Sequence, residues 1–358
     1  MFGGPSREHG VSFVSAKCLL ENLPGEDYEA IPLFVGKDSL WHTPEESRAE
    51  LERQLSRPPG ELLLDGVKPG SSPAATSEIV ESFYVAWRSA RADVLFPIVH
   101  GTFGEDGVLQ GLLESLGILY VGFGVAASAV GMDKIFMKAA FAAAHLPQVE
   151  YVGFSRAEWA SPGSRASIAQ RAGRLGFPLF VKPSCAGSSV GVSKVKSAED
   201  LATAVDDALL VDERVLAETG VDAREIECSV LEGEAGGTTE ASLPGEIVPG
   251  REFYDYEDKY IGTLSRSIIP ADLPPPVRDE VRRLAVRAFD VLGGAGFARV
   301  DFFLERGTGR LLVNEINSLP GFTPISMFPK MWEATGLPLA KLLDRLVRSA
   351  SARRTRGR

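Results

Sequence analysis

Two strand-like runs near the C-terminus, Arg299-Val300-Asp301-Phe302-Phe303-Leu304 and Leu311-Leu312-Val313-Asn314-Glu315-Ile316-Asn317, are joined by a turn at Gly307-Thr308-Gly309. Side chains alternate across a strand, so Glu315 and Asn317 share a face while Asn314 and Ile316 point away. Antiparallel pairing can then set Asp301 beside them. Two carboxylates and an amide oxygen in one place form an all-oxygen donor set. Mg²⁺ favours such oxygens, keeps several waters and commonly bridges protein carboxylates to nucleotide phosphates. The bland alternative is a solvated strand end whose acids face only water. What separates the two is whether the rest of the chain holds the other parts of a site for a magnesium-bound nucleotide.

Several such parts are present. The run Phe180-Val181-Lys182-Pro183-Ser184-Cys185-Ala186-Gly187-Ser188-Ser189-Val190-Gly191-Val192 reads as strand, flexible loop, strand, with Lys182 closing the first strand and Ser188 and Ser189 in the loop. The backbone N–H groups of such a loop can fold over phosphates. It is not a P-loop, since no GxxxxGK[ST] is present, and a plain hairpin turn is the competing reading. Met132-Asp133-Lys134 opens a helix from which Lys134 can reach a phosphate. Glu218 and Glu225 bracket Thr219-Gly220-Val221, a strand end suited to an adenine edge and a ribose diol. The stretch from Phe253 to Gly262, dense in aromatics and charge, reads as a lid that closes over a nucleotide and excludes water. Ser318 to Met327 is a proline and glycine turn leading into the last helical region, where small polar groups can hold an anion. By contrast, Gly122 to Ala127 fits the loose GxGxxA pattern only superficially. A dinucleotide site wants an acidic residue about 20 positions on, and Ala139 to Val149 contains none.

These parts need elements to position them. The chain has 358 residues, 44% of them apolar, enough for a substantial core and two or three domains. Acidic residues outnumber basic ones, 48 to 38, which argues against a general role in gripping nucleic acid. No apolar run approaches the ~20 residues of a membrane span, and the N-terminus lacks the pattern of a secretory signal, so the cytoplasm is the expected compartment. Cys18, Cys185 and Cys228, widely spaced, suggest neither a disulfide framework nor a thiolate metal site.

The predicted fold class is α/β followed by α+β: a parallel α/β domain over 1–131, α+β units over 132–218 and 219–350, and a disordered basic tail over 351–358. Pro274-Pro275-Pro276 is expected to start the long helix of the third unit. One oddity is that Gly3-Gly4 follows directly on Met1-Phe2, where a parallel domain normally has a buried strand. The first strand is therefore expected to be missing, either through a start assigned too late or as a weakness of the domain.

In combination and order, these motifs resemble the ATP-grasp superfamily, and within it the D-alanine:D-alanine ligases, from Gly3 to about Gly336. The matching residues are Gly3-Gly4-Pro5-Ser6-Arg7-Glu8, His100-Gly101, Gly104-Glu105-Asp106-Gly107, Met132-Asp133-Lys134 and the Lys182 to Gly191 loop, together with the lid and the hairpin. The resemblance implies that Lys134, Lys182, Ser189 and Lys259 meet ATP phosphates. Glu218, Thr219, Val221, Glu225 and Phe253 would hold adenine and ribose. Asp301, Glu315 and Asn317 would bind two Mg²⁺, with Mn²⁺ as a substitute. Glu8, linked through Ser188 to Tyr260, would receive the first D-alanine, with His100 lining its pocket. Arg299 and the Gly321 N–H would stabilise an oxyanion, while Ser326 and Met327 would hold the second amino acid.

The implied reaction joins two D-alanines through an acylphosphate, for peptidoglycan precursors, in a protein expected to be a homodimer. Cys185-Ala186 departs from relatives with larger or charged residues there, and suggests sensitivity to thiol reagents. A ligase for another second substrate, such as D-serine or D-lactate, would alter Glu8, Tyr260 or Ser326. A catalytically silent nucleotide-binding regulator would lack a metal ligand or Arg299. All of these residues are present.

Overall fold

A computed structural model describes residues 1–65, 73–234, 237–250 and 265–353. At the N-terminal end, strand β1 (Phe2–Gly3) pairs in parallel with β2 (Phe34–Val35), and β3 (Val94–Leu95) with β4 (Leu119–Tyr120). The Ile98 N–H donates to the Met1 carbonyl at 2.9 Å, so β1 lies between β2 and the segment that follows β3. The strand expected to be missing is represented by these two residues, with Phe2 N–H bonded to the Leu33 carbonyl and Gly4 N–H to the Val35 carbonyl. Phe2 is buried against Phe13 and Phe34, at ring separations of 5.1 and 5.6 Å.

The middle sheet is antiparallel in the order β5 (Tyr151–Ser155), β8 (Arg214–Thr219), β6 (Leu179–Pro183), β7 (Ser193–Val195). Leu179 and Val181 of β6 are buried under the helices Pro162–Arg174 and Leu201–Ala208, with Ile168, Ala172, Leu201 and Val205 as partners. Alternation therefore turns Phe180 and Lys182 to the other face.

The largest sheet runs β12 (Arg266–Ile268), β11 (Gly245–Val248), β9 (Ala223–Leu231), β13 (Phe297–Glu305), β14 (Leu311–Asn317), with β10 (Glu240–Ala241) also on β9. The helix Pro275–Val291, with prolines in its first turn, covers the back through Val281, Leu284, Ala285, Ala288 and Phe289. Ile226, Cys228, Val300, Phe302, Val313 and Ile316 point into that core. Their neighbours Glu225, Glu227, Arg299, Asp301, Glu315 and Asn317 consequently share the front. Met137 and Phe141 of the helix Lys134–Ala143 join the same core, fastening that helix to this sheet although it precedes the middle sheet in sequence.

Ser351 and Ala352, assigned to the tail on sequence, continue the helix Leu339–Ala352, and Arg353 donates to the Gly122 carbonyl at 2.8 Å. That anchor holds the helix end against the body of the protein. Among the described residues no helix is long and apolar enough to cross a membrane.

Candidate active site

The hairpin places its polar residues in rows across three strands. Asp301 lies opposite Glu315 on β14 and opposite Glu227 on β9, while Arg299 lies opposite Asn317 and Ser229. Arg299 grips Asp301 bidentately, with both bonds at 2.7 Å, and its Nε is 3.2 Å from Glu227. Burial would lower the Arg299 pKa, but Asp301 and Glu227 outweigh it and hold the guanidinium well above its ordinary value. Asn317 donates to Asp301 at 2.9 Å, and Lys134 Nζ stands 3.6 Å from Glu315.

Among the described residues no three of His, Cys, Asp or Glu cluster closely enough to hold a metal by themselves. The donor set here is two carboxylates and an amide, with Arg299 and Lys134 occupying the charge a cation would neutralise. Those donors fit hard, oxygen-seeking Mg²⁺.

Beside the loop that follows Lys182, Asp133 caps the helix Lys134–Ala143 by accepting from the Ile135 and Phe136 N–H groups, both at 3.1 Å. The same carboxylate accepts from Ser184 Oγ at 2.7 Å and pairs with Arg214. Lys134 adds a bond from Nζ to the Ala186 carbonyl at 2.8 Å. The loop is thus stitched to the helix start without help from a ligand. Beyond it the chain turns through left-handed Ser188 (φ 49°), Ser189 (φ 58°) and Gly191 (φ 70°). A Cβ at Gly191 would come within 2.8 Å of Pro183, so both conformation and space select glycine.

At Cys185, where sensitivity to thiol reagents is expected, burial first, then Asp212, pushes the pKa up to about 11, which disfavours the thiolate.

Lys182 pairs with one oxygen of Glu218, and Lys138 Nζ stands 3.2 Å from the other without the alignment of a hydrogen bond. Burial would raise the Glu218 pKa, but the two lysines prevail and keep it well below the usual carboxylate range. Removing one partner of a buried pair costs about 3 to 5 kcal/mol, because an uncompensated charge stays behind. Lys182 also feels Glu315 and Glu225, so three carboxylates act on one lysine. Thr219 ends β8 with its N–H bonded to the Glu150 carbonyl, and Val221 follows Gly220, whose N–H is taken by Pro178. Lys138 was missed on sequence. The only signal was its position one helical turn after Lys134.

Glu8, near the N-terminus, is tied to the loop that follows Lys182. Ser188 Oγ donates to Glu8 at 2.6 Å, and Gly101 and Gly187 leave space beside that carboxylate. Buried His100 meets the Leu319 carbonyl through Nδ1 at 2.9 Å, and burial lowers its pKa against the pull of Glu8. Glu105, known from the sequence only as a motif member, accepts from Gly101 N–H at 2.6 Å and Leu319 N–H at 3.2 Å. Burial, then Glu8, raises its pKa to about 8. In the following turn Ser326 Oγ accepts from Thr323 N–H at 3.0 Å, and a Cβ on Gly321 would stand only 2.8 Å from that oxygen. Buried Met327 then begins the helix Met327–Ala334. The lid residues Phe253, Lys259 and Tyr260 lie outside the described residues.

Family models described as the N-terminus and the C-terminus of D-ala D-ala ligase match residues 1–123 and 140–348. A curated D-alanine–D-alanine ligase of Solibacter usitatus is 45% identical over 350 residues, covering 98% of this chain and 94% of its own. One from Halothermothrix orenii is 44% identical, with 98% and 96% covered. Among solved structures, the D-alanine-D-alanine ligase from Coxiella burnetii superposes with a TM-score of 0.78 at 36% identity, covering 99% of this chain and 93% of that one. The VanG D-Ala:D-Ser ligase from Enterococcus faecalis gives 0.76 at 27% identity, covering 98% and 97%. With both halves matched and the ATP-grasp architecture shared, the chain belongs to the D-alanine–D-alanine ligase family.

Proposed function

We propose that the chain is an ATP-dependent, ADP-forming ligase that joins two D-alanines for peptidoglycan precursor synthesis. It does so through an acylphosphate, in the cytoplasm and as a homodimer. The units 132–218 and 219–350 clasp the nucleotide, and 1–131 closes the amino-acid side. Lys134, Lys182 and the Ser188-Ser189 turn face the phosphates, while Glu218, Thr219, Val221 and Glu225 face adenine and ribose. Phe253 and Lys259 of the lid complete that pocket. Asp301, Glu315 and Asn317 would hold two Mg²⁺ or Mn²⁺ ions, which would supply positive charge against the phosphates.

Glu8 receives the ammonium of the first D-alanine, with Ser188 and Tyr260 fixing its carboxylate and His100 beside it. That D-alanine's carboxylate attacks the γ-phosphate, and the amine of the second, held by Ser326 and the Met327 backbone, then displaces phosphate. Arg299 and the Gly321 N–H stabilise the oxyanion of that second step. Catalysis of this kind is mostly positioning and preorganised electrostatics.

The observation that carries this reading is the register of β13 on β14, which sets Asp301 against Glu315 and Arg299 against Asn317. The test is to supply Mg-ATP and D-alanine and follow phosphate release and dipeptide. Both are expected, and Glu315→Ala should abolish them while leaving the melting transition in place. Phosphate release only with some other amino acid would overturn the substrate assignment.

A further inference from the structure

Glu218 has two lysine partners where neutralisation needs one. Lys182 takes one carboxylate oxygen and Lys138 faces the other at 3.2 Å. The two lysines differ in access: the Lys182 side chain is 14% exposed, that of Lys138 only 2%. Lys182 closes β6 on its open face, within the fields of Glu315 and Glu225. Lys138 is sealed inside the helix Lys134–Ala143, with the Tyr151 ring 5.4 Å from its ammonium, and cannot reach a ligand. A lysine is seldom buried to this degree without a charge to answer.

We propose that Lys138 is a positioning residue, the standing counter-ion of Glu218, which lets Lys182 leave that carboxylate for the nucleotide phosphates without stranding a buried charge. The proposal rests on Lys182 being a phosphate contact, as assigned above. Lys182 pairs with Glu218, so a phosphate contact draws on the ammonium that this carboxylate already holds. With Lys138 in place the carboxylate keeps one cation throughout, stays ionised and presents the same acceptor to the adenosine moiety. Without it, departure of Lys182 would leave a bare carboxylate in a low-dielectric interior, and the pair would hold together at the expense of the phosphate contact. The burial that depresses the Lys138 pKa is opposed chiefly by Glu218, consistent with the two forming one unit.

The experiment is a binding cycle with adenosine and the nonhydrolysable AMP-PNP in Mg²⁺. The ratio of their dissociation constants isolates what the phosphates add. Lys182→Met should shrink that ratio by roughly 10- to 100-fold, the worth of one charged hydrogen bond. Lys138→Met should shrink it by a similar factor although Lys182 is intact, and adding Glu218→Gln should restore it to within about threefold of Glu218→Gln alone, because nothing then retains Lys182.

An unchanged ratio in Lys138→Met, or a double variant as poor as Lys138→Met itself, overturns the proposal. An unchanged ratio in Lys182→Met instead overturns the phosphate assignment of Lys182. If Lys138→Met does not fold, the comparison of Glu218→Gln with Lys138→Met/Glu218→Gln decides: any loss of the ratio there means that Lys138 acts on phosphates directly, and the proposal fails.

Discussion

The two ends of the site use the same device with opposite signs. At the β6–β8 end one carboxylate, Glu218, lies between two cations, Lys138 and Lys182. At the β13–β14 end one cation, Arg299, lies between two carboxylates, Asp301 and Glu227. The surplus at each end fits the proposed function. A triphosphate contacting Lys182 would draw it from Glu218 and leave Lys138 there. If Asp301 turned to a divalent metal ion, Glu227 would remain to aim Arg299. Glu227, unremarked on sequence, is placed for that task by the register that sets it opposite Asp301.

The largest effect that can break this comparison is at the guanidinium. Arg299→Met should lower kcat by roughly 10²- to 10³-fold, as loss of an oxyanion donor does in other acyl-transfer enzymes. Glu227→Gln keeps an acceptor but loses the charge, and should lower kcat by about 10- to 100-fold, in the range of substitutions that support a ligand from behind. The AMP-PNP affinity should hold, since Glu227 belongs to the other end. Steady-state assays over D-alanine and ATP separate these outcomes. A Glu227→Gln enzyme with normal kcat would mean that Arg299 needs no second carboxylate.

That Asp301, Glu315 and Asn317 share a face was legible because a period-two strand pattern and a short turn nearly dictate it, and the structure adds the register. Lys138 and Glu227 were not legible for the opposite reason. Each is a charged residue beside core residues, Lys138 next to Met137 on the buried side of its helix and Glu227 between Ile226 and Cys228 on its strand. Periodicity says which side of its element such a residue occupies, but not which opposite charge meets it from another element.

Two carboxyls sharpen the contrast through pH. Glu218, held below its ordinary value of 4.5 by two lysines, contributes stability that is present above that value and lost as pH falls through about 2. Glu105, raised from 4.5 to about 8, tilts the other way. Between those values the folded protein keeps a proton that the unfolded chain has released, so stability falls as pH climbs through that window. Glu105→Gln retains an acceptor for the Gly101 and Leu319 N–H groups and removes the ionisation. The variant should therefore gain on the parent between about pH 5 and 8, on the order of 1 to 3 kcal/mol by the upper end after allowance for partial exposure. Thermal melts across that range measure it. A gap that is constant with pH would mean that Glu105 ionises normally beside Glu8.

The smallest effect tests whether the surplus of cations at the nucleotide end is local to Glu218 or general to the loop. If the whole loop were electropositive, the thiol of Cys185 would be acidified, as thiols beside lysines are. Its surroundings are instead acidic on the near side: Asp133 accepts from its sulfur at 3.2 Å, and Asp212 accepts from its backbone N–H at 2.6 Å. A thiol held at about 11 rather than 9.0 carries about a hundredfold less thiolate at pH 8, and alkylation by iodoacetamide should slow in proportion. Removing one of the two acids, by Asp212→Asn, should recover part of that rate, as mass mapping of the labelled peptides would follow over time. Alkylation of Cys185 as fast as that of a free thiol would mean that the positive field spreads beyond the Glu218 trio. Lys182 would then face little penalty on leaving Glu218, and the sign-reversed symmetry of the two ends would be a coincidence of packing.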